Sequence, residues 1–195
     1  MSHPVSVVIP TIDSRYNFLT CRCIPSVQRA GAAQIIVVHG EGGSNEKRNA
    51  GALAATQPYL LFVDDDSEVE NDILTAMIAA LESKPEATFA YSNYTLNDQF
   101  KSSPEVCPGK WNADRLRREN YIDTTSMIRR SAFLGFDPAI HRFQDWDLWL
   151  TIVASGGRGV YVPRHLFSKY ILDQGISAMV PEAEAREAIR RKHCL

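Results

Sequence analysis

Apolar and polar residues fall into blocks along this chain, and the period of each block predicts an element. Val5-Ser6-Val7-Val8-Ile9 is a β-branched run stopped by Pro10, which reads as a first strand. A helix is expected over residues 15–29, kinked or divided by Pro25. Gln34-Ile35-Ile36-Val37-Val38 is a continuous apolar run, the pattern of a strand covered on both faces. After the glycine-rich loop at 39–44, alanines at helical spacing predict a helix over 45–55 with Ser44 as its cap. Residues 59–63 read as a third strand. The clearest helix lies at 71–83, where Ile73, Met77, Ile78, Ala80 and Leu81 share one broad face. Residues 88–94 read as another strand. This β-α-β-α-β-α-β order predicts an α/β fold with a parallel sheet and right-handed crossovers.

The second half is less regular. Residues 97–108 are polar and weakly patterned, as expected of a long loop, a kind that often carries function. Residues 126–133 are compatible with a strand or a short helix. Trp146, Leu148, Trp149, Ile152 and Val153 predict a helix over 144–154, ended by Gly156-Gly157. Late strands are expected at 160–162 and 166–172. The last helix, 182–192, has acids first and bases last, matching the helix dipole.

Composition narrows the class. The 195 residues suit one domain, and 45% hydrophobic with 23% charged residues is ordinary for a globular protein. A net charge of −2 gives no footprint for nucleic acid. No apolar run approaches the roughly 20 residues that span a bilayer, so no transmembrane segment is expected. Met1-Ser2-His3-Pro4 lacks the basic-then-apolar order of a signal peptide, so the expected location is cytoplasmic. Cys21, Cys23, Cys107 and Cys194 lack zinc-site spacing and are expected as reduced thiols.

Chemistry concentrates where the third strand ends. Leu60-Leu61-Phe62-Val63-Asp64-Asp65-Asp66 is an apolar run closed by three carboxylates. Strand ends are where parallel sheets place ligands. Adjacent carboxylates repel and raise one another's pKa, a penalty that a cation removes. Hard oxygen ligands suit Mg²⁺ or Mn²⁺. A solvated acidic turn is the alternative reading.

In this setting the chain resembles the inverting family 2 glycosyltransferases, which have the GT-A fold. Several blocks carry the resemblance in order: Val5 to Thr11 as the opening strand and nucleotide-facing loop, Gln34 to Val38 as the second strand, and Lys47-Arg48-Asn49-Ala50-Gly51 as the "ARNxG" segment. Leu61 to Asp66 is similar to the DxD strand, Asn71-Asp72-Ile73-Leu74 to the helix start that follows, and Gln144-Asp145-Trp146-Asp147-Leu148-Trp149 to the "EDxDL" block. The resemblance implies a single Rossmann-like GT-A domain, a mostly parallel central sheet flanked by helices. It implies transfer of a sugar from a nucleotide-sugar, a UDP-sugar by the family, to a sugar or other hydroxyl acceptor.

The resemblance also implies roles. Asp66 would bind Mn²⁺ or Mg²⁺, Asp64 the metal or its waters and the ribose, and Asp65 the ribose or the turn itself. Asp173 sits about where many such enzymes add a late metal ligand, with His165 as a substitute. Asp145 is the expected base, Asp147 the competitor, and simple helix capping the bland reading of both. Pro10, Thr11 and Arg48 would face the nucleotide, Arg48 by forking onto phosphate. The family's acidic pair after strand two is here His39 and Gly40, with Glu41 next, which leaves base recognition to His39 or Glu41. His141 is a candidate for the acceptor or a phosphate. Trp146 and Trp149 are candidates for stacking on a sugar or for the core. Glu46 and Lys47 read as solvated helix charges. Residues 4–96 would hold the donor, 97–180 would shape the acceptor side, and 181–195 would close the chain as a helix.

Two rival readings share the fold. A nucleotidyltransferase would want a glycine-rich basic loop after strand one, where the chain has Thr11-Ile12-Asp13-Ser14-Arg15. A non-catalytic binding module is favoured by His39-Gly40 and opposed by Asp66 with Asp145. A phosphatase would need a nucleophilic aspartate on strand one, which has none.

Overall fold

The computed structural model describes residues 2–98, 103–171 and 180–195. Strand β1 (His3–Pro10) is buried from Val5 onward. It pairs in parallel with β2 (Ala32–Val38) on one side and β3 (Tyr59–Phe62) on the other. Between β1 and β2 the chain winds through α1 (Tyr16–Phe18), a π-helical turn (Leu19–Cys23) and α2 (Ile24–Arg29). Pro25 stands in the first turn of α2, where its missing N–H costs nothing, and the irregular winding lies just before it. Helix α3 (Ser44–Ala54) starts at Ser44 itself with Gly43 as its cap, so Ser44 does not fill the expected cap position.

Beyond β3 come β4 (Ser67–Val69), α4 (Ile73–Ser83) and the long β5 (Phe89–Asp98). The second half adds β6 (Glu105–Val106), α5 (Ala113–Leu116), β7 (Met127–Arg129), α6 (Gln144–Ala154), β8 (Gly159–Ile171) and α7 (Glu182–His193). The eight-stranded sheet has the order β2-β1-β3-β7-β5-β8-β4, with β6 paired to β5. β1, β2, β3, β5 and β8 point the same way, while β7, β4 and β6 run against them. The fold is the expected mostly parallel GT-A-type sheet.

Strand alternation splits the core into two layers. Val5, Val7, Ile9 and Leu61 pack with Val27 of α2 and Ile73, Met77 and Leu81 of α4. Val8, Leu60 and Phe62 face the opposite way, toward Trp146 and Trp149 of α6 and Ile189 of α7. Phe89 stacks on Trp149 with ring centroids 4.5 Å apart. Helix α3 lies so close to β1 that a methyl group on Gly51 would run into the Val8 and Val38 side chains.

Three local expectations change. β2 is an edge strand with half-buried side chains, although its apolar run reads as doubly covered. β6 interrupts the 97–108 segment that reads as loop, and β4 forms where no element is expected. The two late strands are one, β8, which runs through Pro163; the register against β5 shifts between Ser92 and Tyr94, so Pro163 and Arg164 bulge out of the ladder. A bulge is where a sheet tolerates proline.

Candidate active site

The three carboxylates follow directly from β3, and each meets a protein cation. Asp64 accepts from Arg48 Nη2 at 2.6 Å through one oxygen and from Lys169 Nζ at 3.0 Å through the other. Burial alone would raise the Asp64 carboxyl, but Lys169 and Arg48 outweigh it and hold it well below the usual carboxylate range. Asp65 accepts from Arg15 Nη1 at 3.0 Å and from the Ile12 amide at 3.3 Å. Asp66 accepts from the same Arg15 nitrogen at 2.7 Å. Burial, followed by repulsion from Asp64, pushes the Asp66 carboxyl up to about 6.

Two bridges run from this cluster to the other half of the molecule. Arg48 donates to Asp64 and also to Gln144 Oε1 at 2.8 Å, at the first residue of α6. Lys169, on β8, donates to Asp64 and to Asp123 Oδ2 at 2.9 Å. Asp123 and Asp145 together line a cavity of about 210 Å³ with Tyr94, Arg115, Asn120 and Tyr121. The Asp145 carboxylate accepts from Asn120 Nδ2 at 2.9 Å and from the Trp146 amide at 2.8 Å. Burial, then the charge of Asp123, pushes Asp145 up to about 6. Its helix begins after Phe143, which holds a left-handed backbone (φ 62°) beneath the guanidinium groups of Arg142 and Arg186.

The charge balance bears on a metal. Asp64, Asp65 and Asp66 meet three cations, Arg15, Arg48 and Lys169, and Lys169 is shared with Asp123. Among the described residues no three ligating side chains converge on a single point. Mg²⁺ is usually held by one or two carboxylates, with water and substrate phosphates completing its shell. Asp66 is the best placed, because among the described residues its Oδ1 accepts from the Ser67 hydroxyl alone, at 3.4 Å. Asp64 has both oxygens engaged, so ligation there would displace Arg48 or Lys169. Asp173 lies outside the described residues.

The remaining candidates separate. Pro10 closes the β1–β2 ladder opposite Val38, and the Thr11 amide donates to the Val38 carbonyl at 3.0 Å. His39 is exposed and contacts Asp13, and Glu41 is exposed in the same loop. Arg48 is 5% exposed and held by Asp64 and Gln144, so it is neither a solvated charge nor an open fork. Lys47, expected in solvent, is buried with its ammonium on the Thr11 carbonyl at 2.9 Å. Trp146 and Trp149 are both core, donating their indole N–H groups to the Leu116 and Ile122 carbonyls, so neither offers a face to a sugar. Asp147 is 2% exposed and points away into α7, where Lys192 and His193 donate to it at 2.9 and 2.7 Å. His165 meets Glu70, Thr95 and Ser168 rather than the acid cluster, and His141 is exposed.

Comparison with known proteins decides the family. Residues 24–136 match the family described as Glycosyl transferase family 2. The chain belongs to glycosyl transferase family 2. The match runs from α2 past β7, including Arg48 and the three carboxylates. A search of curated proteins finds no match. Among solved structures, S. aureus TarS 1-349 in complex with UDP-GlcNAc is similar at a TM-score of 0.74 and 13% identity, covering 99% of this family 2 chain and 65% of TarS. TarS 1-349 with UDP gives 0.67 at 12% identity, covering 100% and 71%. TarS 1-349 without a named ligand gives 0.66 at 13% identity, covering 87% and 60%. The family 2 chain thus spans less than two thirds of TarS in two of these structures. At such identity the likeness is one of fold. Among the described residues, no helix is long and apolar enough to cross a membrane.

Sequence reasoning missed Arg15, Asn120, Asp123 and Lys169. Lys169 did leave a signal: it is a single cation inside the apolar run at 166–172, and a lysine in a buried strand requires a partner.

Proposed function

We propose that this family 2 domain transfers a glycosyl group from a nucleotide-sugar to an acceptor hydroxyl, with inversion at the anomeric carbon. The observation that carries the reading is the continuous charged path from Asp64 through Lys169 to Asp123, on the wall it shares with Asp145. A donor held at the end of β3 would present its anomeric carbon toward that wall. Asp145 takes the proton of the acceptor hydroxyl as its oxygen bonds to the anomeric carbon. The bond from that carbon to the diphosphate oxygen breaks on the opposite face, which inverts the centre. A base that titrates near the working pH combines availability with proton affinity.

Residues 4–96 would hold the donor, 97–180 the acceptor, and 181–195 would brace α6. Mg²⁺ or Mn²⁺ on Asp66 would neutralise charge on the departing diphosphate. Arg15 and Lys47 fix the turn that receives the nucleotide, with Pro10, Thr11 and Asp65 in its wall. The UDP and UDP-GlcNAc named for TarS support a UDP-sugar donor. With His39 and Glu41 exposed in place of an acidic pair, discrimination among bases is expected to be loose. The test is a screen of nucleotide-sugars against mixed hydroxyl acceptors, comparing the wild type with Asp145→Asn. Product formed equally by both would overturn the assignment of the base, and the binding-module reading would replace it if no donor gave product.

A further inference from the structure

Lys169 does more than balance one carboxylate. Its ammonium has three N–H donors, and it donates to Asp64 at 3.0 Å and to Asp123 at 2.9 Å. These partners belong to different halves of the molecule, the end of β3 and the wall of the cavity. The side chain is 19% exposed, so the contacts are partly shielded from water. We propose that Lys169 is a positioning residue that ties the donor-side carboxylates to the acceptor cavity and shields Asp145 from the charge of Asp123. The inference rests on the reading of Asp145 as the base.

The geometry makes the case. Asp123 and Asp145 line one cavity of about 210 Å³, too small for two carboxylates to ignore each other. Asp123 spends Oδ1 on the Thr125 amide at 2.8 Å, which leaves Oδ2 for Lys169. Asp145 shares its cavity with Asp123, Cys107, Tyr94, Tyr121 and Arg115 of α5, is bonded by the Asn120 amide and the Trp146 N–H, and feels the charge of Lys169 of β8. Burial and then Asp123 raise its proton affinity, while the Trp146 N–H, Lys169 and Asn120 lower it. Replacing Lys169 by a neutral side chain of similar length would leave Asp123 without its cation and Asp64 with Arg48 alone. The charge would then fall on the base.

The test uses the full chain as Lys169→Met, Lys169→Arg and Asp123→Asn. The ¹³C signal of the Asp145 carboxyl, assigned by its loss in Asp145→Asn, is titrated by NMR, and the acidic limb of transfer is measured alongside. Lys169→Met is expected to move both to higher pH by about one pH unit or more. Asp123→Asn is expected to move them to lower pH, and Lys169→Arg to stay near the wild type. An Asp145 titration in Lys169→Met that superimposes on the wild type overturns the proposal. Should Lys169→Met not fold, an Asp123→Asn titration that fails to move downward overturns it instead. If the NMR shifts appear but no nucleotide-sugar supports transfer, the glycosyltransfer reading falls and the Lys169 assignment stands.

Discussion

Arg48 and Asp64 meet at 2.6 Å, one guanidinium nitrogen against one carboxylate oxygen, with Arg48 almost wholly out of water. The second nitrogen of the fork goes to Gln144, so one side chain fixes both the end of β3 and the start of α6. Arg48→Ala would leave Asp64 with Lys169 alone. A loss of about 2–4 kcal/mol is expected, somewhat less than for stranding a buried charge entirely. Urea unfolding checks it, and the double variant Arg48→Met with Asp64→Asn should lose less than the sum of the two single changes. Additive losses would show that the pair is not coupled.

Asp145→Asn keeps the oxygen that accepts from Asn120 and Trp146, so nucleotide affinity should hold. Transfer should fall by roughly 10²–10⁴-fold, the usual worth of a general base. Calorimetric titration of UDP beside a transfer assay separates the two effects. Equal losses in both would mean that the residue binds rather than reacts.

The same carboxyl makes a stability prediction. Burial first, then Asp123, raise Asp145 to about 6, so between about pH 4 and that value the folded state holds a proton that the unfolded chain has released. Stability from this group is therefore highest in acid, falls as pH rises through that window, and stays lower above it. Asp145→Asn removes the loss. The variant should melt above the wild type at pH 8 and alongside it near pH 3.5, measured by scanning calorimetry. A variant less stable than the wild type at pH 8 would contradict the sign.

A divalent ion should act through Asp66. With UDP present, Mn²⁺ is expected to raise the melting temperature of the wild type and not of Asp66→Ala, since a ligand stabilises only the state that binds it. Asp65→Ala should keep most of the metal response but melt lower, because it strands part of Arg15. A UDP response unchanged by excess EDTA would rule out the metal.

Asp147 belongs to a different job. It is nearly inaccessible and joins α6 to α7 through Lys192 and His193. Asp147→Ala should cost about 2–4 kcal/mol, less than a fully stranded pair because Lys192 keeps Asp137 at 2.7 Å. UDP affinity measured well below the melting temperature should be unchanged. A UDP affinity lost without a drop in stability would place Asp147 in the site.

Much of this was legible in the chain. The β3 strand and its acids could be read because an apolar run ended abruptly in charge, whereas Asp145 was singled out by the resemblance of its block to the family's "EDxDL" block. The antiparallel β7 could not, since Met127–Arg129 is too short to show a period. The expectation that three adjacent carboxylates need an external cation met a tertiary answer: Arg15, Arg48 and Lys169 converge from distant parts of the sequence. For the same reason Lys47 looked like a solvated helix charge and Arg48 like an open phosphate contact. Charge on a helix shows in the sequence, but what the helix is pressed against does not.

Gly51 is one turn beyond Lys47 and Arg48 on the same buried face of α3. Its hydrogen atom is what lets the helix rest against Val8 and Val38. The residue that sets how far Arg48 reaches therefore has no side chain and touches no substrate. A single added methyl there would lift the helix and draw the guanidinium back from Asp64, so a change that looks like routine packing would behave as a lesion of the active site.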